Sequence, residues 1–398
     1  MFFGFIYLSL LTKNLGSEES GQYFFYLSIL STLQSISTFG IPTYFEQKIP
    51  KLLNLNNKEN LMTLIKSAII FSLLVSFFLI LITILFINIK VFELNILTKN
   101  TFFKFLFVIP LMIIVSFFSK IIQTSGKNLI SVIISNFLFS LLFLIFIFLF
   151  NPKTVDSFIN IFLLIYLFLA ILSFYLLPFK DFYKSDYKIK LSNIAKKSLS
   201  FFLVGVIYEY GMQLTTLFLG TAGINSDIAG YAISLKISSV VSFALLAVHH
   251  FYITKISASM DSHKYNLLKS LLMKSMINLL FLCLGIFSFI YFFRISILDF
   301  FGEEFIQFEN VLIINLFSYL FYSIGGLAAM YLISANLEKK MLKNAFFIFL
   351  LATILNYLFI YEYGAIAGSL VFLFTNFLLA FSNIFVAYMD YRKMMLNL

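Results

Sequence analysis

Charge is what this sequence has least of. Only 12% of its 398 residues are Asp, Glu, Lys or Arg, about half the share found in an ordinary soluble domain. Apolar residues make up 61%, and the mean hydropathy is +0.99. A water-soluble fold of this length could not hide that much apolar surface, so soluble globular folds are excluded and lipid is the natural solvent. Cysteine is almost absent too. Cys283 stands alone in the apolar run 279–290, so no internal disulfide can form, and no Cys/His spacing matches a zinc site. We read it as a small apolar residue facing lipid or a neighbouring helix. Gly220-Thr221-Ala222-Gly223 has no lysine after it, so there is no phosphate-cradling G-x-x-x-x-G-K-[ST] loop to power work with a nucleotide. No Ser/His/Asp arrangement and no paired carboxylates lie in a hydrophilic segment, and no outer connector is long enough for a catalytic domain. Neither a cofactor nor a metal is expected, and energy would have to come from ion or substrate gradients. The N-terminus has no basic leader and no small-residue cleavage site, which argues against a removable signal peptide. Yet Met1–Leu11 is shorter than the ~20 residues a hydrocarbon core demands. A late start and an incomplete first helix both remain open.

What is present is a series of long apolar runs. They fall at 21–44, 61–87, 101–122, 128–150, 155–178, 197–220, 227–250, 270–293, 308–334, 343–361 and 364–388. With the short first run they predict about twelve transmembrane segments. Backbone amides cannot go unpaired in lipid and the runs are too long for barrel strands, so each predicts a helix. The expected fold class is all-α integral membrane.

Basic residues give the direction, because they stay on the cytoplasmic side. Of the 28 Lys and Arg, 21 fall at connectors after even-numbered helices or in the C-terminal tail. Six fall after odd-numbered helices, and Lys236 alone lies inside a helix. Both termini are therefore expected in the cytoplasm. The bias also accounts for most of the net charge of +10 without a nucleic-acid partner. The most basic connector carries Lys180, Lys184, Lys188, Lys190, Lys196 and Lys197. It reads as a topology signal touching anionic headgroups of the lipid bilayer, or as a docking site for a cytoplasmic partner.

The two halves of the chain echo each other. Leu15-Gly16 … Gly21-Gln22-Tyr23 leads to Gln47-Lys48-Ile49 and then Asn60-Leu61; Leu219-Gly220 … Gly230-Tyr231 leads to Thr254-Lys255-Ile256 and then Asn266-Leu267. The offset stays between 204 and 209 residues. We expect an N-terminal six-helix bundle over 1–178, a basic cytoplasmic connector over 179–196 and a C-terminal six-helix bundle over 197–398. An even number of helices per half implies an axis along the membrane normal and a central cleft suited to alternating access.

Ionisable groups at membrane depth cost about 2.5–3.5 kcal/mol on insertion scales, so each asks for a reason. Glu209 and Lys236 lie about 16 and 21 Å from the inner surface at a 1.5 Å rise per residue. Two readings stand: a structural ion pair holding two helices together, or two groups lining a water-filled cleft. Gly205, Glu209, Gln213, Thr216 and Gly220 recur at helical spacing and form one polar, small face. Ser28, Ser31, Gln34, Ser35 and Thr38 form a second stripe, which helix packing alone could also explain. Lys66 and Lys120, near inner helix ends, either snorkel to the headgroups or guide a phosphate at the cytoplasmic mouth. His249 and His250 are interfacial, with solvation or proton coupling at His250 as the alternatives.

Leu11-Thr12-Lys13-Asn14-Leu15-Gly16-Ser17-Glu18-Glu19-Ser20-Gly21-Gln22-Tyr23, followed by Phe39-Gly40-Ile41-Pro42, resembles the opening of O-antigen (Wzx-like) polysaccharide flippases. These belong to the multidrug/oligosaccharidyl-lipid/polysaccharide exporter (MOP) superfamily. Ile228-Ala229-Gly230-Tyr231 … Leu235-Lys236, Phe300-Phe301-Gly302-Glu303-Glu304-Phe305 and Tyr363-Gly364-Ala365-Ile366-Ala367-Gly368 extend the resemblance over nearly the whole chain. It implies a MATE-like fold of two six-helix bundles around a cleft, here with the first helix shortened, in a bacterial inner membrane. It also implies a polyprenyl-diphosphate-linked oligosaccharide as cargo and other polysaccharide biosynthesis proteins as partners. Lys236 matches a position where members often carry Arg or Lys. Where many relatives have an acidic residue, this chain has Thr215, and the fourteen-helix layout of lipid II flippases is not met.

Three functions follow as expectations. A flippase for lipid-linked oligosaccharide would use Lys236, Lys120 and Lys66 toward phosphate and Tyr208, Tyr210 and Gln213 toward sugar. A cation-coupled multidrug exporter would use Glu209 as its coupling site. A membrane glycan polymerase or acyltransferase would need a catalytic loop or a His/Arg constellation.

Overall fold

The apolar runs fold as helices because only helices satisfy every backbone amide within one segment in lipid. The computed structural model describes residues 2–55, 57–88, 99–178, 191–261, 265–335 and 337–396, and these are almost all helical, with no strand among them. Most of the basic connector expected at 179–196 lies outside the described residues. In order, the helices are α1 (Phe2–Thr38), α2 (Ile41–Asn54), α3 (Lys58–Asn88), α4 (Lys99–Leu106), α5 (Val108–Thr124), α6 (Asn128–Val132), α7 (Leu138–Phe150), α8 (Val155–Tyr175) and α9 (Leu191–Ala222). Then come α10 (Asn225–Ser238), α11 (Ser242–Asp261), α12 (Tyr265–Phe292), α13 (Arg294–Asp299), α14 (Glu309–Ser334) and α15 (Glu338–Leu396).

Among the described residues, nine helices are long and apolar enough to cross a membrane, or up to ten if the bent pair Phe3–Thr38 and Ile41–Asn54 counts as one span. Two of the long helices are broken internally, α1 at Gly16 and α15 at Gly364. Dividing α15 there recovers the separate runs expected at 343–361 and 364–388. Dividing α1 separates the short first run from the second.

The run expected at 21–44 stops early. Phe39 and Gly40 take left-handed φ values of 50° and 66°, which end α1 at Thr38. Pro42 then falls in the first turn of α2, where its missing N–H goes unneeded. A Cβ on Gly40 would strike the backbone of Phe201 and Phe202 in α9, and the Phe39 ring stacks on Phe202 at 4.1 Å between centroids. Both the dihedral and the close approach therefore demand glycine. Beyond this corner α2 is amphipathic: Ile41, Tyr44, Phe45, Ile49 and Leu52 are buried, while Glu46, Gln47 and Lys51 are exposed.

The chain divides into two compact units, Met1–Gln213 and Leu214–Leu398. In the first, α5 packs on α8, α6 and α2, and α1 packs on α7, α3 and α5. Lipid is as apolar as a side chain, so close packing and polar contacts hold such helices together, not transfer from water. Here rings supply the packing: Tyr23, Tyr26, Phe105 and Phe158 are fully buried, with Tyr26 and Phe105 centroids 5.5 Å apart. The span 128–150 contains a π-helical turn at Ile133–Phe137 between α6 and α7.

In the second unit α14 runs along α15. Asn376 Nδ2 donates to Ser318 Oγ at 2.9 Å, and Gly325 lets the backbone of Ala380 come close. The break in α15 is capped from α10. Gly364 has φ 54° and ψ −135°, and the next amide, Ala365 N–H, donates to Asp227 Oδ2 at 2.6 Å.

Candidate functional site

The first unit carries an open cavity of about 360 Å³ whose walls are unusually polar for a membrane-spanning chain, with Ser135 and Asn136 exposed among them. Gln34 comes from α1; Ser116, Ser119, Lys120 and Gln123 from α5; Ser131, Ser135 and Asn136 from α6 and the π turn; and Tyr166 from α8. Each arrives for a local reason. Gln34 is the amide at the centre of the polar stripe of α1 that runs from Ser28 to Thr38. Ser119, Lys120 and Gln123 lie three, four and seven residues beyond Ser116, which puts all four on one face of α5. The π turn widens the helix and brings Ser135 and Asn136 to the same wall, a device common at functional sites.

Lys120 is the one fully charged residue among those lining this cavity. Its Nζ donates to Gln123 Oε1 at 2.9 Å and pairs with Glu46 Oε1 of α2 at 2.5 Å. The lysine side chain is 24% exposed and the glutamate 46%. Deeper in, the Ser119 and Ser131 hydroxyls lie 2.8 Å apart, and Ser119 also donates to the Ser131 carbonyl. The cavity thus offers amides and hydroxyls able both to donate and to accept, one aromatic ring and one ammonium. Such a set can hold hydroxylated or amide-bearing groups beside an anion.

The structure brings together two of the residues singled out in the sequence, Gln34 and Lys120. On α9, Gln213 Nε2 donates to Glu209 Oε1 at 3.0 Å, so the polar face of that helix is tied along itself. Tyr208, Glu209, Tyr210 and Gln213 are all half-buried, as is Lys66 on α3. In the second unit Thr216 is buried. Its neighbour Thr215 donates to Asn356 Oδ1 at 3.4 Å. Lys236 and His250 are exposed, with His250 edge-on to His249. Sequence reasoning passed over Glu46, Gln123, Ser131, Ser135 and Asn136. The four-residue step from Ser131 to Ser135 was a usable signal, whereas nothing local marks Glu46 as the partner of a lysine 74 positions away.

A polar cavity among helices long and apolar enough to span a bilayer defines a class, a multi-pass membrane protein, and its fold is that of the MOP transporters. The chain is similar to a multidrug resistance MATE family transporter of the MOP superfamily in an inward-facing conformation. There the TM-score is 0.80 and the identity 15%, covering 99% of this chain and 94% of that one. It is similar to the lipid II flippase MurJ in an inward closed conformation at a TM-score of 0.75 and 15% identity, over 100% and 88% of the two chains. A MOP superfamily transporter from Pyrococcus furiosus, described by the reverse polarity of its binding pocket, aligns at 0.66 and 14% identity over 99% and 92%. No curated relative matches by sequence. The chain belongs to the polysaccharide biosynthesis protein family, whose model matches residues 1–249.

Proposed function

We propose that this protein is a flippase that moves a lipid-diphosphate-linked oligosaccharide, the building unit of a surface polysaccharide, across the bacterial cytoplasmic membrane by alternating access. The observation that carries the reading is the polar cavity of the first unit, with Lys120 as its single charge. Lipid-linked cargo has three chemistries: an apolar tail that stays in the bilayer, a diphosphate and a run of sugars. Amides, hydroxyls and a tyrosine ring suit sugars, and an ammonium suits phosphate. Family membership and the MOP fold support the same reading. Lys236, exposed on the second unit, keeps its expected role toward phosphate, and Tyr208, Tyr210 and Gln213 theirs toward sugar. We also infer that both termini lie in the cytoplasm, which puts Lys120 and Glu46 at the inner mouth.

A cation-coupled drug exporter would want carboxylates facing its cavity, and none is among the residues lining this one. The test is complementation of a deletion strain. Lys236→Ala and Lys120→Ala should each abolish surface glycan while the protein still inserts. Wild-type glycan in either variant removes that lysine from the proposal. Sensitivity of the deletion strain to cationic dyes with glycan intact would favour the exporter.

A further inference from the structure

The charge of the cavity is neutralised from outside it. Lys120 lines the cavity, but its counter-ion, Glu46, does not. Glu46 sits on the exposed face of α2, nearly half open, so its carboxylate can return to water at little cost. Ion pairs this exposed shift an equilibrium only about 1.4- to 5-fold. A diphosphate carries more than one negative charge and presents several acceptor oxygens to the same ammonium, in surroundings drier than those of Glu46. Charge-assisted contacts of that kind are roughly twice as strong as neutral ones.

We infer that Glu46 is an internal competitor for Lys120: the anionic headgroup of the cargo displaces it, and the cavity becomes cationic only as the headgroup arrives. This rests on the flippase reading and names the group that contacts Lys120 and what holds that contact in reserve. The pair gives selectivity. A neutral sugar can use the amides and hydroxyls but has nothing to offer in exchange for Glu46, so it leaves the pair closed. The base of α2 is pinned at Gly40 against α9, so the exchange needs only a rotamer change at Glu46 and leaves the helix where it is.

The test is binding of farnesyl diphosphate, a short polyprenyl diphosphate, to the full chain in nanodiscs, with farnesol and inorganic pyrophosphate alongside. Glu46→Gln should bind farnesyl diphosphate about 1.4- to 5-fold more tightly than the parent, the span set by the strength of an exposed pair. Lys120→Gln should lose binding at least ten-fold. The exchanged variant Glu46→Lys with Lys120→Glu keeps an ion pair and so reports on folding. It should melt near the parent yet bind no farnesyl diphosphate. A purely structural pair predicts the opposite pattern, with Glu46→Gln unchanged or weaker and the exchanged variant restored, and that pattern overturns the inference while leaving the flippase reading in place. Equal gains for inorganic pyrophosphate would overturn the lipid-linked headgroup as the displacing group. Absence of farnesyl diphosphate binding to the parent, with glycan export intact, would remove Lys120 from the headgroup contact altogether.

Discussion

Replacing Gly40 with alanine measures how tightly α2 is fixed to α9. Two costs combine. The left-handed conformation costs a non-glycine residue roughly 1–2 kcal/mol. The new Cβ then meets backbone atoms of Phe201 and Phe202, not the yielding ends of side chains, and over-packing typically costs about 1–3 kcal/mol. The expected destabilisation is therefore about 2–5 kcal/mol. Gly223 provides the control, with a similar φ of +75° but nothing within 4 Å of its Cβ position. Gly223→Ala should show only the conformational part, roughly 1–2 kcal/mol. Denaturant titration of the detergent-purified protein, followed by far-UV circular dichroism, reads both. Equal destabilisation by the two substitutions would show that the corner at Gly40 is not closed against α9, and the pinned base assumed for Glu46 would go with it.

Asp227→Ala should destabilise the second unit by about 1.5–3 kcal/mol, because it orphans the amide of Ala365 that a charged acceptor now satisfies. A Cβ on Gly364 would collide with that same carboxylate, so Gly364→Ala should cost less in the Asp227→Ala background than alone. A double-mutant cycle measures the coupling. Cys283 is the sole thiol and is buried, so a thiol-reactive dye reports unfolding of this unit without an added label. Asn376→Leu removes the contact with Ser318 and should cost about 0.6–1.7 kcal/mol, the range for interhelical hydrogen bonds in membranes. The same dye reads it.

Hydropathy alone located the spans, and it did so even where the backbone breaks without leaving the helix. The runs 343–361 and 364–388 meet at Tyr363-Gly364, where α15 bends. It failed at Phe39-Gly40, because two residues of left-handed backbone leave no trace in an apolar average. For the candidate site, Gln34 and Lys120 were legible as polar residues in apolar runs and both line the cavity, whereas Glu209 and Lys236, the two charges placed at membrane depth, are not among its lining residues. The companions of Gln34 and Lys120 were not legible, since the cavity is assembled from α1, α5, α6 and α8 by tertiary packing, and Ser131 or Asn136 taken alone looks like ordinary helix-packing material. The partner of Lys120 was the hardest to foresee. Glu46 falls between the apolar runs at 21–44 and 61–87, and only the fold brings it to the lysine.

The π turn at Ile133–Phe137 leaves a trace in chain length. A single-turn π segment inside an α-helix holds one residue more than a regular ladder requires. Loss of one residue here would let the span revert to continuous α-helix with Leu138–Phe150 keeping its facing, whereas the same loss in α8 would rotate every later side chain by about 100°. The cavity wall is thus the one stretch of this span where a length difference between homologous chains would read as a changed binding surface, not as a broken helix.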